Sequence, residues 1–329
     1  MRSYRGMPLR TKAIFMLVDA VRRKPIVEMD AKDIQQARDF VYPHSGPLSR
    51  LLGRVPDGVE FSEATATARD GHGIPLRVCA PTSAATARPL IVWFHGGGWV
   101  LGNVRNYDAI CGDLAVGVDA VVVSVDYRMA PEHRAPTAAL DCIDATRWIR
   151  DHAGDWGADG SRLAVAGDSA GGNLAAVVAQ ALRDEGDGPL RAQALVYPAT
   201  DMTMASPSIA ENANAAILTK SDMDGFREHY CPPGHDLRDP LVSPLFGRLD
   251  GLAPALVQTA QFDPIRDDGS RYAEAMTAAG SEATLTTYDG VPHGFIGVPG
   301  AHPAGARQRV ELIDFLSGHL RPLRDGALP

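Results

Sequence analysis

The chain has 329 residues, 45% of them hydrophobic, and a formal net charge of −8 at pH 7. That is enough for one large α/β domain or two small ones around a sizeable buried core. The acidic balance, with no Lys/Arg run longer than Arg22-Arg23-Lys24, excludes a nucleic-acid surface, and no apolar run reaches the ~18 residues of a membrane span.

In chain order, Ala13-Ile14-Phe15-Met16-Leu17-Val18 imitates the core of a signal peptide, but Asp19 interrupts it and no small-x-small cleavage site follows before Arg22. Ile14, Leu17, Val18 and Val21 fall at i, i+3, i+4, i+7, so the segment reads as an amphipathic helix packed on the rest of the fold. Residues 1–55 as a whole read as an added helical element, with turns at Pro43 and Gly46-Pro47. From Val59 to Pro81 the pattern becomes that of a hairpin, turning at Asp70-Gly71-His72-Gly73.

Short apolar runs then recur at 90–94, 120–125, 163–166, 194–197, 255–259 and 283–287. Each is too short for a helix and too uniformly apolar for a half-exposed strand, which predicts a parallel sheet covered on both faces. Helical stretches at about 106–117, 136–153, 171–185, 267–279 and 304–320 alternate with them, giving a doubly wound α/β architecture. Residues 202–237 break the rhythm. They are polar, with Ser221-Asp222-Met223-Asp224 as a helix start, and read as an insertion that joins the N-terminal element in a cap over the sheet's carboxyl edge. Cys79, Cys111, Cys142 and Cys231 form neither a CxxC pair nor a Cys/His cluster. They read as isolated buried thiols of a reducing, cytoplasmic compartment, without a disulfide framework or metal site.

The chemistry concentrates in four places. Gly167-Asp168-Ser169-Ala170-Gly171 fits G-x-S-x-G, with a strand-like run before it and a helix-like run after it. Small residues two positions either side let a sharp turn present the hydroxyl at a helix N-terminus. His95-Gly96-Gly97-Gly98-Trp99 follows a strand, and such a glycine run frees backbone N–H groups to point into a cavity. The amides of Gly97, Gly98 and Ala170 are the candidate oxyanion donors, with His95 as an orienter of the loop. No P-loop or dinucleotide fingerprint competes. α/β-hydrolases order their triad Ser, Asp/Glu, His, which points to His293 in Val291-Pro292-His293-Gly294-Phe295 as base, ahead of His302, His319 and His235. The acid should leave the preceding strand. Asp263 does so first, while Asp267 and Asp268 stay open as alternatives and Asp263 alone could be a turn residue before Pro264.

With these pieces the chain resembles the hormone-sensitive-lipase-like family of esterases. The shared motifs are His95-Gly96-Gly97-Gly98-Trp99, Asp126-Tyr127-Arg128-Met129-Ala130-Pro131-Glu132-His133, Gly167 to Asn173, Asp263-Pro264-Ile265-Arg266-Asp267 and His293-Gly294-Phe295. Met129 stands where Leu is usual, and Ala135-Pro136-Thr137 replaces a more common Phe-Pro-Ala. The resemblance implies an α/β-hydrolase fold with an eight-stranded, mostly parallel sheet and a helical cap. It implies hydrolysis of short- to medium-chain acyl esters, without a cofactor, through Ser169, Asp263 and His293. His95 and Asp168 would then support the loops around the site. An amidase, lactonase or deacetylase could use the same triad, and a non-catalytic receptor could use the same scaffold, although His293 argues against the latter. The partner expected is a small-molecule ester. Edge-strand pairing is common in the family, so the resemblance allows a homodimer that no single residue here demonstrates.

Overall fold

Runs of apolar residues with no polar face need cover on both sides, and the sheet supplies it. The computed structural model describes residues 2–21, 24–187 and 190–322, so Arg22 and Arg23 lie outside the described residues. Within them the strands are β1 (Val59–Thr67), β2 (Gly73–Pro81), β3 (Arg88–Phe94), β4 (Val121–Val125), β5 (Ala158–Asp168), β6 (Ala192–Val196), β7 (Ala255–Phe262) and β8 (Ala283–Pro292). They form one eight-stranded sheet in the order β1-β2-β4-β3-β5-β6-β7-β8. β2 pairs antiparallel with β1 and with β4, and every other pairing is parallel. β3, β4 and β6 are buried at every position. The expected hairpin is β1 and β2, its turn closed by the His72 amide donating to Asp70 Oδ1 at 3.1 Å.

The helices are α1 (Leu9–Val21), α2 (Ala31–Asp39), α3 (Ser49–Leu52), α4 (Asp108–Val118), α5 (Thr137–Asp151), α6 (Ala170–Asp184), α7 (Pro207–Glu211), α8 (Lys220–Tyr230), α9 (Arg266–Ala278) and α10 (Pro303–His319). Alternation along β3 sorts the core into two layers. Leu90, Val92 and Phe94 pack with α5, α6 and α9, while Ile91 and Trp93 pack with α4 and α10. Each such aliphatic side chain contributes about 1.5–3 kcal/mol by leaving water.

Three expectations are corrected in detail. β8 runs on to Pro292 instead of stopping before Asp289, because its end pairs with the end of β7, Phe262 opposite Pro292. α8 starts at Lys220, not at Ser221, since Thr219 accepts from the Asp222 amide and Asp222 from the Thr219 amide in a capping box. The inward face of α1 is Thr11 and Phe15, with Ile14 and Val18 half-buried, whereas Leu17 is 64% exposed. The helix is turned by polar contacts: Asp19 faces inward to Arg2, the Tyr4 hydroxyl and the Ile217 amide. The side chain of Val21, the last residue of the expected stripe, lies outside the described residues. Among the described residues no helix is long and apolar enough to cross a membrane.

Candidate active site

The parallel strands all end on one edge, and the residues after five of those ends carry the site. His95 follows β3, Ser169 follows β5, Tyr197 follows β6, Asp263 follows β7 and His293 follows β8. In an open α/β sheet this carboxyl edge is where ligands bind. Register does the rest. Phe262 opposite Pro292 sets Asp263 beside His293, and Asp168 opposite Val196 sets Ser169 beside Tyr197.

Ser169 has φ 55° and ψ −117°, a conformation that L-residues avoid and that costs about 1–3 kcal/mol. The surroundings enforce it. Its amide donates to the Val196 carbonyl at 2.8 Å, and its carbonyl accepts from the Asn173 amide at 3.0 Å as α6 begins. A Cβ on Gly171 would collide with the Phe94 carbonyl oxygen and come within 2.8 Å of that of His95, so the turn closes only with glycine there. The strain lifts the hydroxyl off the sheet at the N-terminus of α6.

His293 Nε2 lies 2.9 Å from Ser169 Oγ, and its Nδ1 lies 2.7 Å from Asp263 Oδ2. An ionised carboxylate only accepts, so Nδ1 carries the proton and Nε2 is bare toward the hydroxyl. Asp263 is fully buried, and its other oxygen accepts from the Ile265 amide at 2.9 Å. The alternatives are occupied elsewhere. Asp267 binds the Ser208 amide and Arg266, and Asp268 binds Ser206 Oγ. His302 caps α10, His235 pairs with Asp239, and His319 lies tilted against the Phe315 ring.

The glycine loop lies against the elbow, where a Cβ on Gly96 would come within 2.6 Å of Asp168 Oδ2. Gly97 and Gly98 have φ of 122° and 62°, and a Cβ would run into the Leu101 carbonyl at the first and the Phe226 ring of α8 at the second. Their amides have no acceptor among the described residues, and that of Ala170 stands in the first turn of α6, where helices leave N–H groups free. His95 is fully buried, its Nδ1 donating to the Gly96 carbonyl at 2.8 Å, its own carbonyl accepting from Tyr127 Oη at 2.8 Å. Burial holds its ring below the ordinary imidazole range, and therefore neutral.

Asp168 ties the loop to the elbow. Its Oδ1 accepts from the Gly96 amide at 2.8 Å, and its Oδ2 accepts from the hydroxyls of Tyr107 and Tyr197 at 3.3 Å each. Burial raises its carboxyl to about 6 against the opposing pull of these donors, and burial holds both phenols well above their usual range. Tyr107 and Tyr197 were not legible as site residues. Tyr107 precedes a helix in a polar stretch without a motif, and only the place of Tyr197 at a strand's carboxyl end could have flagged it. Asn173 was legible only as part of a shared motif. Its Nδ2 donates to the carbonyls of Ala199 at 2.7 Å and Val242 at 2.9 Å.

Comparison with known proteins gives this geometry its context. The family described by the alpha/beta hydrolase fold matches residues 91–297. Carboxylesterase NlhH of Mycobacterium tuberculosis is 44% identical over 237 residues, 71% of this chain and 74% of that protein. The chain belongs to the hormone-sensitive-lipase-like family of α/β-hydrolase carboxylesterases. An ethyl acetate hydrolase of Pseudomonas putida is 33% identical over 313 residues, covering 94% of this esterase and 98% of that protein. A thermostable esterase of Pseudomonas putida superposes with a TM-score of 0.86 at 35% identity, over 97% of this chain and 99% of that one. The protein is a carboxylic ester hydrolase.

Proposed function

We propose that the esterase works through an acyl-enzyme on Ser169. The carrying observation is the hydrogen-bonded line from Asp263 Oδ2 through His293 to Ser169 Oγ, at 2.7 and 2.9 Å. Ser169 attacks the ester carbonyl while His293 Nε2 takes its proton. Asp263 holds the tautomer and stabilises the imidazolium without taking the proton. The amides of Gly97, Gly98 and Ala170 receive the oxyanion, each worth about 10²- to 10³-fold in kcat. The imidazolium then protonates the departing alcohol, and water repeats the sequence on the acyl ester. His95 and Asp168 support the glycine loop from behind.

The substrates in this reading are short- to medium-chain acyl esters. In support, a relative matched over nearly its whole length is named for ethyl acetate, a short acyl ester. Residues 1–55 and the insertion at about 202–237 act as the cap. In support, Ile26 packs in one apolar cluster with Met223 and Phe226 of α8. The four cysteines are buried and unpaired, which suits a cytoplasmic location. Hydrolysis of p-nitrophenyl esters from acetate to octanoate tests the reading. The wild type should favour the shorter members, and Ser169→Ala should lose about 10⁴-fold or more in kcat across the series. Equal turnover by the variant removes Ser169 from the mechanism.

A further inference from the structure

Helix α1 is apolar on the face it turns to solvent. Leu9 is 86%, Leu17 64% and Met16 47% exposed, with Ala13 and Ala20 exposed beside them. At about 100° per residue these five share one arc, opposite the buried Thr11 and Phe15. A helix apolar on both sides belongs in a core, yet none of the described residues covers the outer one. The helix is nonetheless held firmly: Arg10 Nη2 donates to the Gly300 carbonyl at 3.1 Å and Thr11 Oγ1 to the Ala301 carbonyl at 3.2 Å.

Charge says what fits the stripe. Exposed Arg10 borders it on one side and half-buried Lys12 on the other, with exposed Arg5 before it, while Lys24 after it is paired with Asp33. The first 24 residues hold seven of the chain's 32 basic residues and one of its 40 acidic ones. That one, Asp19, is turned inward to Arg2 and Tyr4. An otherwise acidic chain thus frames an apolar stripe with cations. A second copy would set this basic rim against itself. A layer of anionic phospholipid would take the leucines and methionine between its acyl chains and the cations among its phosphates.

We propose that α1 is an interfacial helix that seats the esterase on anionic lipid surfaces. The segment leading into α1 also passes the catalytic edge, with Gly6 against the Phe262 ring that precedes Asp263. Adsorption through α1 therefore brings the site close to the lipid. The stripe is separate from the triad, so this inference stands or falls independently of Ser169.

Vesicle flotation tests it, using phosphatidylcholine with and without phosphatidylglycerol. The wild type should float with the mixed vesicles and bind pure phosphatidylcholine about tenfold or more weakly. Leu9→Asp/Leu17→Asp and, separately, Arg5→Glu/Lys12→Glu should each lower binding about tenfold or more, with the far-UV circular dichroism of the folded protein unchanged. No flotation of the wild type, or variants that float as well as it does, overturns the proposal. So does a wild-type dimer that light scattering finds split by Leu9→Asp/Leu17→Asp without any vesicle binding, since the stripe's occupant is then a second copy.

Discussion

Ser169 owes its position to atoms that are not its own. A strained φ survives because Gly171 admits the Phe94 carbonyl, so Gly171→Ala should destabilise the fold by about 3 kcal/mol or more in urea unfolding. A loss below about 1 kcal/mol would mean that the elbow has room it does not show. Asp168 predicts a pH signature. Its carboxyl titrates at about 6 in the fold against an ordinary 3.8, so the folded protein holds that proton more tightly than the unfolded chain does. Its contribution to stability is therefore greatest below pH 4 and is lost as pH rises through 6, by about 3 kcal/mol in all. Asp168→Asn cannot titrate. The stability of the wild type relative to that variant should fall by this amount between pH 3 and pH 7, and parallel curves would contradict the assignment. Residues inside a local motif were readable from the sequence. The tyrosines that meet Asp168 were not, because they arrive from positions 61 residues before and 29 residues after it and share no motif with it.

Elements were legible where one kind of neighbour dictates their pattern. Largely apolar strands β3, β4 and β6 declared two-sided burial, and the five helices covering the sheet start and stop within a residue or two of the expected bounds. Edges were harder. β8 stands at the margin of the sheet with four of its ten positions exposed, so its last residues looked like loop until the pairing of Phe262 with Pro292 extended it. In α1 apolar spacing suggested one face and the contacts of Asp19 turned in another, leaving Leu17 to solvent. Side chains that join elements should be costly to remove. Asn173 links α6 to the loops at Ala199 and Val242, and Asn173→Ala would leave two carbonyls without their donor. A loss of about 2–4 kcal/mol in urea unfolding is expected, and a change under about 0.5 kcal/mol would show that water replaces the amide.

For the molecule as a whole, topology turns distant sequence into adjacent chemistry. Parallel strands point their carboxyl ends the same way, so side chains at 95, 169, 263 and 293 converge without being neighbours in the chain. Composition excluded other classes of function, motif order suggested this one, and agreement with carboxylesterases across nearly the whole fold fixes the reaction as ester hydrolysis. What the mechanism adds is the nucleophile. Mass spectrometry after reaction with a fluorophosphonate reads it directly. The account predicts one adduct per chain, on the peptide bearing Ser169, matched by loss of turnover and missing from Ser169→Ala. A fully inhibited enzyme whose adduct sits on any other residue, or a Ser169→Ala variant that still labels and still hydrolyses ester, would contradict it.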